Sequence, residues 1–191
     1  MDPSKVTTFK LPKRVKVNII CVYLSNYFLN DDQGEVAKAK SVLDNHNIQL
    51  EVWPQGAAKT INNTLNYPDP VPHDAYDDAV NKATYTDLLM RARSLASSKV
   101  PFSVFATVVF GQFKHVGIGI TPPSVGLVTP LCIVSPNGNS DKMDVLHELG
   151  HASALHHEDG IAKNFMNGTN GRSEMMRFQV EKMAKSWFAV A

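Results

Sequence analysis

The chain has 191 residues, of which 43% are apolar and 19% charged, and its net charge is +1. This length fits a single domain, 1–191, that buries a core without disulfide staples. Because the net charge is small and no basic stripe alternates with aromatic residues, we expect neither nucleic acid nor a membrane as a partner.

The N-terminus is polar, and no apolar stretch precedes Val15. No signal peptide or membrane-spanning run is visible. We therefore expect a cytosolic chain, one exported without a standard leader, or one whose leader has been removed. Cys21 and Cys132 lie in separate apolar runs, where small buried thiols are commoner than a bridge, although a bridge forms in an oxidising compartment.

The first elements alternate between strand and helix. Residues 15–24 are rich in β-branched side chains and predict a strand, and 48–53 alternate apolar and polar residues and predict another. Between them, helical spacing predicts a helix over 33–46. Asp32 and Glu35, three residues apart, resemble a capping box at its start. This order favours a parallel strand pair with a right-handed crossover.

The middle of the chain differs in composition from the first elements. Residues 54–82 contain four prolines with many Asn and Asp, which indicates a long surface excursion. A helix is predicted over 84–98, and a buried strand follows over 102–110.

Glycine and proline in 113–130 suit an edge strand and its loops rather than a central strand. Residues 131–135 predict the last strand, and 136–140 predict a turn that caps the next helix. That helix is predicted over 141–154.

A final helix is predicted to begin near Ser173. It carries apolar residues at helical spacing, which we expect to pack beneath the sheet: Met176, Val180, Met183 and Trp187. The element order predicts an α/β (α+β) fold with a mixed, twisted sheet of about five strands.

The helix over 141–154 carries a potential metal site. His147 and His151 are four residues apart, so both lie on one helix face, as binding of a single Zn²⁺ requires. Glu148 follows the first histidine and is the expected general base for a metal-activated water. A catalytic zinc takes three protein ligands and keeps one open position, and His156 or His157 is the obvious third ligand.

The stretch from His147 to His157 resembles the metzincin signature, His-Glu-x-x-His-x-x-Gly-x-x-His. This resemblance assigns the third ligand to His157. The signature glycine is replaced by Ala154, which costs about 1 kcal/mol if the turn needs a left-handed backbone. Metzincins also place a methionine in a turn below the zinc, and Met166 in Asn-Phe-Met-Asn-Gly is its counterpart.

The resemblance implies a metzincin-like catalytic domain with an active-site helix, a Met-turn and a C-terminal helix. It further implies one catalytic Zn²⁺ and hydrolysis of protein or peptide substrates by a monomeric endopeptidase. Residues around 115–121 would bind substrate by strand addition, and His115 lies among them. Asp159 is a candidate for orienting an imidazole.

Three alternatives remain. In gluzincins the third ligand is a glutamate on a later helix, and Glu174 is the candidate. A zinc-stabilised binding module would close its fourth position with a side chain such as Asp159, Glu158 or His156. A metal-dependent amidase would use the same zinc and carboxylate.

Overall fold

The computed structural model describes residues 2–23, 32, 34–53, 90–91, 103–111, 117–120, 131–135, 141–169 and 171–191. After a short 3-10 helix (Pro3–Lys5), the elements bounded within these residues are β1 (Val15–Tyr23), α1 (Glu35–Asp44), β2 (Ile48–Trp53), β3 (Ala106–Phe110), β4 (Gly117–Ile120), β5 (Leu131–Val134), α2 (Asp144–Ala152), α3 (Arg177–Met183) and β6 (Ala189–Val190).

The strands form one mixed sheet in the order β2-β1-β3-β5-β4. β1 runs parallel to β2 and β3, and β3 runs parallel to β5. β4 is antiparallel to β5, and β6 adds a short antiparallel pairing to β1. The predicted α/β class, the mixed sheet and the parallel β1–β2 pair are therefore confirmed.

Two helices pack on the same face of the sheet. α1 packs against β2, α2 packs against β4 and β5, and the two helices touch each other. Residues of one sheet face, including Val17, Ile19 and Val108, join residues of both helices in one core. The sheet therefore supplies a rigid base beneath α2.

The two cysteines lie on this face but not next to each other. Cys21 pairs with Val108, which in turn pairs with Cys132, so one strand separates the two thiols. Their Cα atoms are thus about 10 Å apart, beyond the reach of roughly 7 Å that a disulfide allows. Both are free and buried, as we expected, and burial raises the pKa of each thiol.

Several predicted boundaries shift. β3 begins at Ala106, and α3 begins at Arg177 instead of near Ser173. Because α3 ends at Met183, the chain turns before Trp187, which is 62% exposed, and Phe188 is buried instead. The prediction that Trp187 continues the apolar face is therefore wrong.

The predicted capping box is half right. The Asp32 carboxylate accepts hydrogen bonds from the backbone N–H groups of Gly34 and Val36, at 3.0 and 3.2 Å, at the start of α1. Glu35 does not reach back to Asp32. Its Oε2 accepts from the N–H groups of Asp144 and Val145, at 2.8 and 3.3 Å, and so caps α2.

Some predictions fall outside the described residues: the excursion 54–82, His115, the turn 136–140, and the helix 84–98 except for residues 90 and 91, which are helical. The extent of the domain, 1–191, stays a prediction. Among the helices that the structure describes, none combines the length and apolar character needed to cross a bilayer.

Candidate metal centre

Helix α2 holds two of the candidate ligands rigidly. Its apolar residues Val145, Leu146 and Leu149 are fully buried in the core, which fixes the rotation of the helix about its axis. His147 and His151 therefore project together from one face, and their Nε2 atoms lie 3.1 Å apart.

The end of α2 turns the chain back toward this face. The N–H of Ala154 bonds to the carbonyl of His151 at 2.8 Å, and that of Leu155 bonds to the carbonyl of Gly150 at 3.0 Å. This pair of bonds is a Schellman motif, which requires a left-handed residue after the helix. Ala154 occupies that position with φ +60°. The turn therefore has the backbone that glycine favours, although the residue is alanine.

The returning chain brings the third histidine to the first two. The Nε2 atom of His157 lies 3.1 Å from that of His151 and 3.3 Å from that of His147. Two nitrogens bound to one tetrahedral Zn²⁺ at 2.0–2.1 Å are about 3.3 Å apart. The three imidazoles thus form a cluster that is able to hold a metal ion.

The hydrogen bonds of the first two rings are consistent with a metal ion at their Nε2 atoms. Nδ1 of His147 lies 2.8 Å from the carbonyl oxygen of Phe165, and Nδ1 of His151 lies 3.0 Å from that of Leu155. A carbonyl only accepts, so both Nδ1 atoms carry a proton, and in the neutral form of each ring Nε2 presents a lone pair. These lone pairs face each other at 3.1 Å, and a bound cation relieves their repulsion.

Within the described parts of the chain, the cluster consists of these three histidines alone. His156 is exposed, and neither Glu158 nor Glu174 belongs to the cluster. Asp159 accepts from the N–H of Gly168 at 2.9 Å. We expected Asp159 to orient an imidazole. The carbonyls of Phe165 and Leu155 are instead the groups that contact Nδ1 of His147 and His151.

Met166 lies in a turn directly beneath α2. A Cβ placed on Gly150 would overlap Sδ of Met166 and would lie 2.8 Å from Cε2 of Phe165. The turn therefore approaches the helix backbone closely, between the first two histidines. Met166 is fully buried.

Glu148 is buried beside the first histidine and is 4% exposed. Its Oε2 atom has no hydrogen-bond partner among the residues that the structure describes. Burial raises the pKa of Glu148 well above its usual value, the charge of Asp144 raises it further, and Arg172 opposes the rise. The carboxyl therefore holds a proton more strongly than a solvated glutamate does.

An ion network supports the N-terminal end of α2. The guanidinium of Arg172 donates to both Asp141 oxygens at 3.0 Å and to Asp144 Oδ1 at 2.5 Å. All three side chains are at least nine-tenths buried. Sequence reasoning missed this network and the Glu35 cap, since neither has a local sequence signal.

Comparison with models of protein families gives no match for this chain, and comparison with curated proteins gives none either.

Proposed function

We propose that this protein is a zinc-dependent endopeptidase of the metzincin type. His147, His151 and His157 hold the Zn²⁺, and Glu148 is the general base. The observation that carries this proposal is the convergence of three Nε2 atoms at 3.1–3.3 Å, with the protons of the first two rings turned outward to carbonyls.

The donor set favours zinc. Three imidazoles with no fourth side chain in the cluster, among the described residues, correspond to a catalytic rather than a closed structural site. Burial lowers the pKa of His147 to about 3, so protons compete weakly with a metal for this ring. Zinc bound there would supply a Lewis acid able to polarise a scissile carbonyl and to lower the pKa of a bound water.

Glu148 supplies the proton transfer. Its carboxylate takes a proton from the attacking water and then gives it to the leaving amine. The buried Oε2, which has no hydrogen-bond partner within the described chain, is the atom available for this role.

Three features support the metzincin type. The left-handed Ala154 occupies the position of the signature glycine, and Met166 packs in a turn under α2. β4 ends the sheet order next to β5 and packs against α2. An extended peptide added to β4 would gain backbone hydrogen bonds at the sheet edge that packs against α2.

The first test replaces Glu148 with Gln, which keeps size and polarity but removes the base. We expect zinc binding and unfolding temperature to stay near the parent values, while cleavage of a denatured-protein or peptide library falls at least 100-fold. A chelator should abolish parental activity and added zinc should restore it. Full activity in the variant would contradict the assigned mechanism. Zinc binding by a parent that cleaves no peptide would favour a binding module, and cleavage confined to other amides would favour an amidase.

The second test decides the third ligand. His157→Ala should lose zinc, measured as metal content after dialysis, whereas Glu174→Gln should retain it. His156→Ala is the matched control, since this neighbouring histidine is exposed and outside the cluster. If only Glu174→Gln loses zinc, the metzincin type is wrong and the gluzincin type takes its place.

A further inference from the structure

Two buried amide side chains pair behind the Met166 turn. Nδ2 of Asn164 donates to Oε1 of Gln179, and Nε2 of Gln179 donates to Oδ1 of Asn164, both at 2.9 Å. Both residues are fully buried. Gln179 belongs to α3, so this pair joins the last helix to the turn.

Each amide oxygen also accepts from a backbone N–H. Asn164 Oδ1 accepts from the N–H of Met166 at 2.8 Å, and Gln179 Oε1 accepts from that of Met176 at 2.9 Å. The first bond closes an Asx turn, which sets the path of the backbone through Phe165. The pair therefore fixes the turn from one side and the start of α3 from the other.

The turn bonds to the ring of one candidate ligand and to the peptide group that follows another. The carbonyl of Phe165 accepts from Nδ1 of His147 at 2.8 Å. The carbonyl of Met166 accepts at 2.9 Å from the N–H of Glu158, the residue that follows His157. A shift of the turn thus moves the first ring directly and the third through its neighbouring peptide.

We infer that Asn164 and Gln179 are positioning residues for the metal site, acting through the Phe165 carbonyl to hold His147 in the tautomer that presents Nε2. This inference rests on the metal site of the proposed function. Groups that orient metal-bound histidines commonly change metal affinity by 10–100-fold when removed. Neither amide touches an imidazole, so their effect is transmitted through the backbone of the turn.

The test compares Gln179→Met, which keeps the length of the side chain but removes its three hydrogen bonds, with Asn18→Leu. Asn18 is a buried asparagine of β1 whose amide bonds to the carbonyl of Val104, away from the histidines, so it controls for a general loss of stability. Zinc affinity is measured by competition with a chromophoric chelator, and unfolding temperature is measured alongside. We expect Gln179→Met to bind zinc about 10–100-fold more weakly, and Asn18→Leu to bind like the parent. Parental zinc affinity in a folded Gln179→Met variant would overturn the inference.

A measurement on the unsubstituted protein needs no folded variant. Nitrogen-15 NMR of the histidine rings, recorded without and with zinc, should show His147 protonated at Nδ1 in both states. A ring protonated at Nε2 in the zinc-free protein would overturn the inference even if zinc binds. Absence of zinc binding by the parent would instead overturn the proposed metal site, and the tautomer of His147 without zinc would still test whether the Phe165 carbonyl orients this ring.

Discussion

Gly150 and Met166 are in such close contact that no side chain fits between them. Gly150 lies between the two histidines of α2, and a Cβ on it would overlap Sδ of Met166. The glycine in His-Glu-Leu-Gly-His therefore has a packing reason: it lets the turn that orients His147 lie against the helix backbone.

We predict that Gly150→Ala lowers the free energy of unfolding by about 1–3 kcal/mol, as overpacking of a core does, despite the better helix propensity of alanine. Zinc affinity should fall as well, because the displaced turn carries the Phe165 carbonyl. Urea unfolding and chelator competition measure the two effects. Gly160→Ala is the control, since a Cβ there meets nothing within 4 Å. Equal behaviour of the two variants would show that the contact with Met166 is unimportant.

Ala154→Gly should make the protein more stable. The left-handed backbone at this alanine, φ +60°, costs roughly 1 kcal/mol that glycine does not incur. We expect a gain of up to about 1 kcal/mol by urea unfolding, reduced by the greater freedom of glycine in the unfolded chain. Ala152→Gly, in the last turn of α2, should lose up to about 1 kcal/mol. A loss of stability in Ala154→Gly would argue against the Schellman geometry.

Glu35 makes stability depend on pH. Burial, and next the charge of Asp144, raise its pKa to about 7 from an ordinary value of 4.5. The folded state thus holds this proton more tightly, and the stability gained is fully present below pH 4.5 and lost as pH rises to about 7. The shift corresponds to about 3 kcal/mol.

Glu35→Gln removes this titration and keeps an oxygen to cap Asp144 and Val145. The advantage of the parent over the variant in free energy of unfolding should therefore shrink by up to about 3 kcal/mol between pH 5 and pH 8. The low pKa of His147 acts with the opposite sign but is common to both proteins, so it cancels in the difference. Parallel pH profiles would refute the prediction.

Arg172→Met should be the most destabilising of these substitutions. It leaves the carboxylates of Asp141 and Asp144 buried without their guanidinium, which typically costs about 3–5 kcal/mol. Arg172→Lys should recover little, because an ammonium cannot reproduce the forked contact. Arg177→Met is the control: its ion pair with Glu181 is exposed and is expected to contribute less than about 1 kcal/mol. Chemical unfolding that ranks the two Met variants equally would contradict this.

Structural elements that depend on short-range sequence patterns were predicted well. Alternation over 15–24 and 48–53 indicated strands that the structure places at Val15–Tyr23 and Ile48–Trp53. The four-residue spacing of His147 and His151 predicted that both lie on one helix face. Placing His157 with them came from the metzincin signature, and the structure brings these three rings together.

Contacts between distant segments were not predictable. Glu35 was predicted to cap its own helix, α1, yet its carboxylate caps α2. Trp187 matched the apolar spacing of the last helix, but α3 ends at Met183. Arg172, Asn164 and Gln179 carried no pattern that distinguishes them from surface polar residues.

The sequence by itself determined which groups are available for chemistry and how they are spaced along one helix, because helix geometry converts spacing into a shared face. Only the tertiary structure decided which nitrogen His147 and His151 present. That choice depends on the carbonyls of Phe165 and Leu155, and their positions follow from a turn, a Schellman motif and a buried amide pair that form when the whole chain packs.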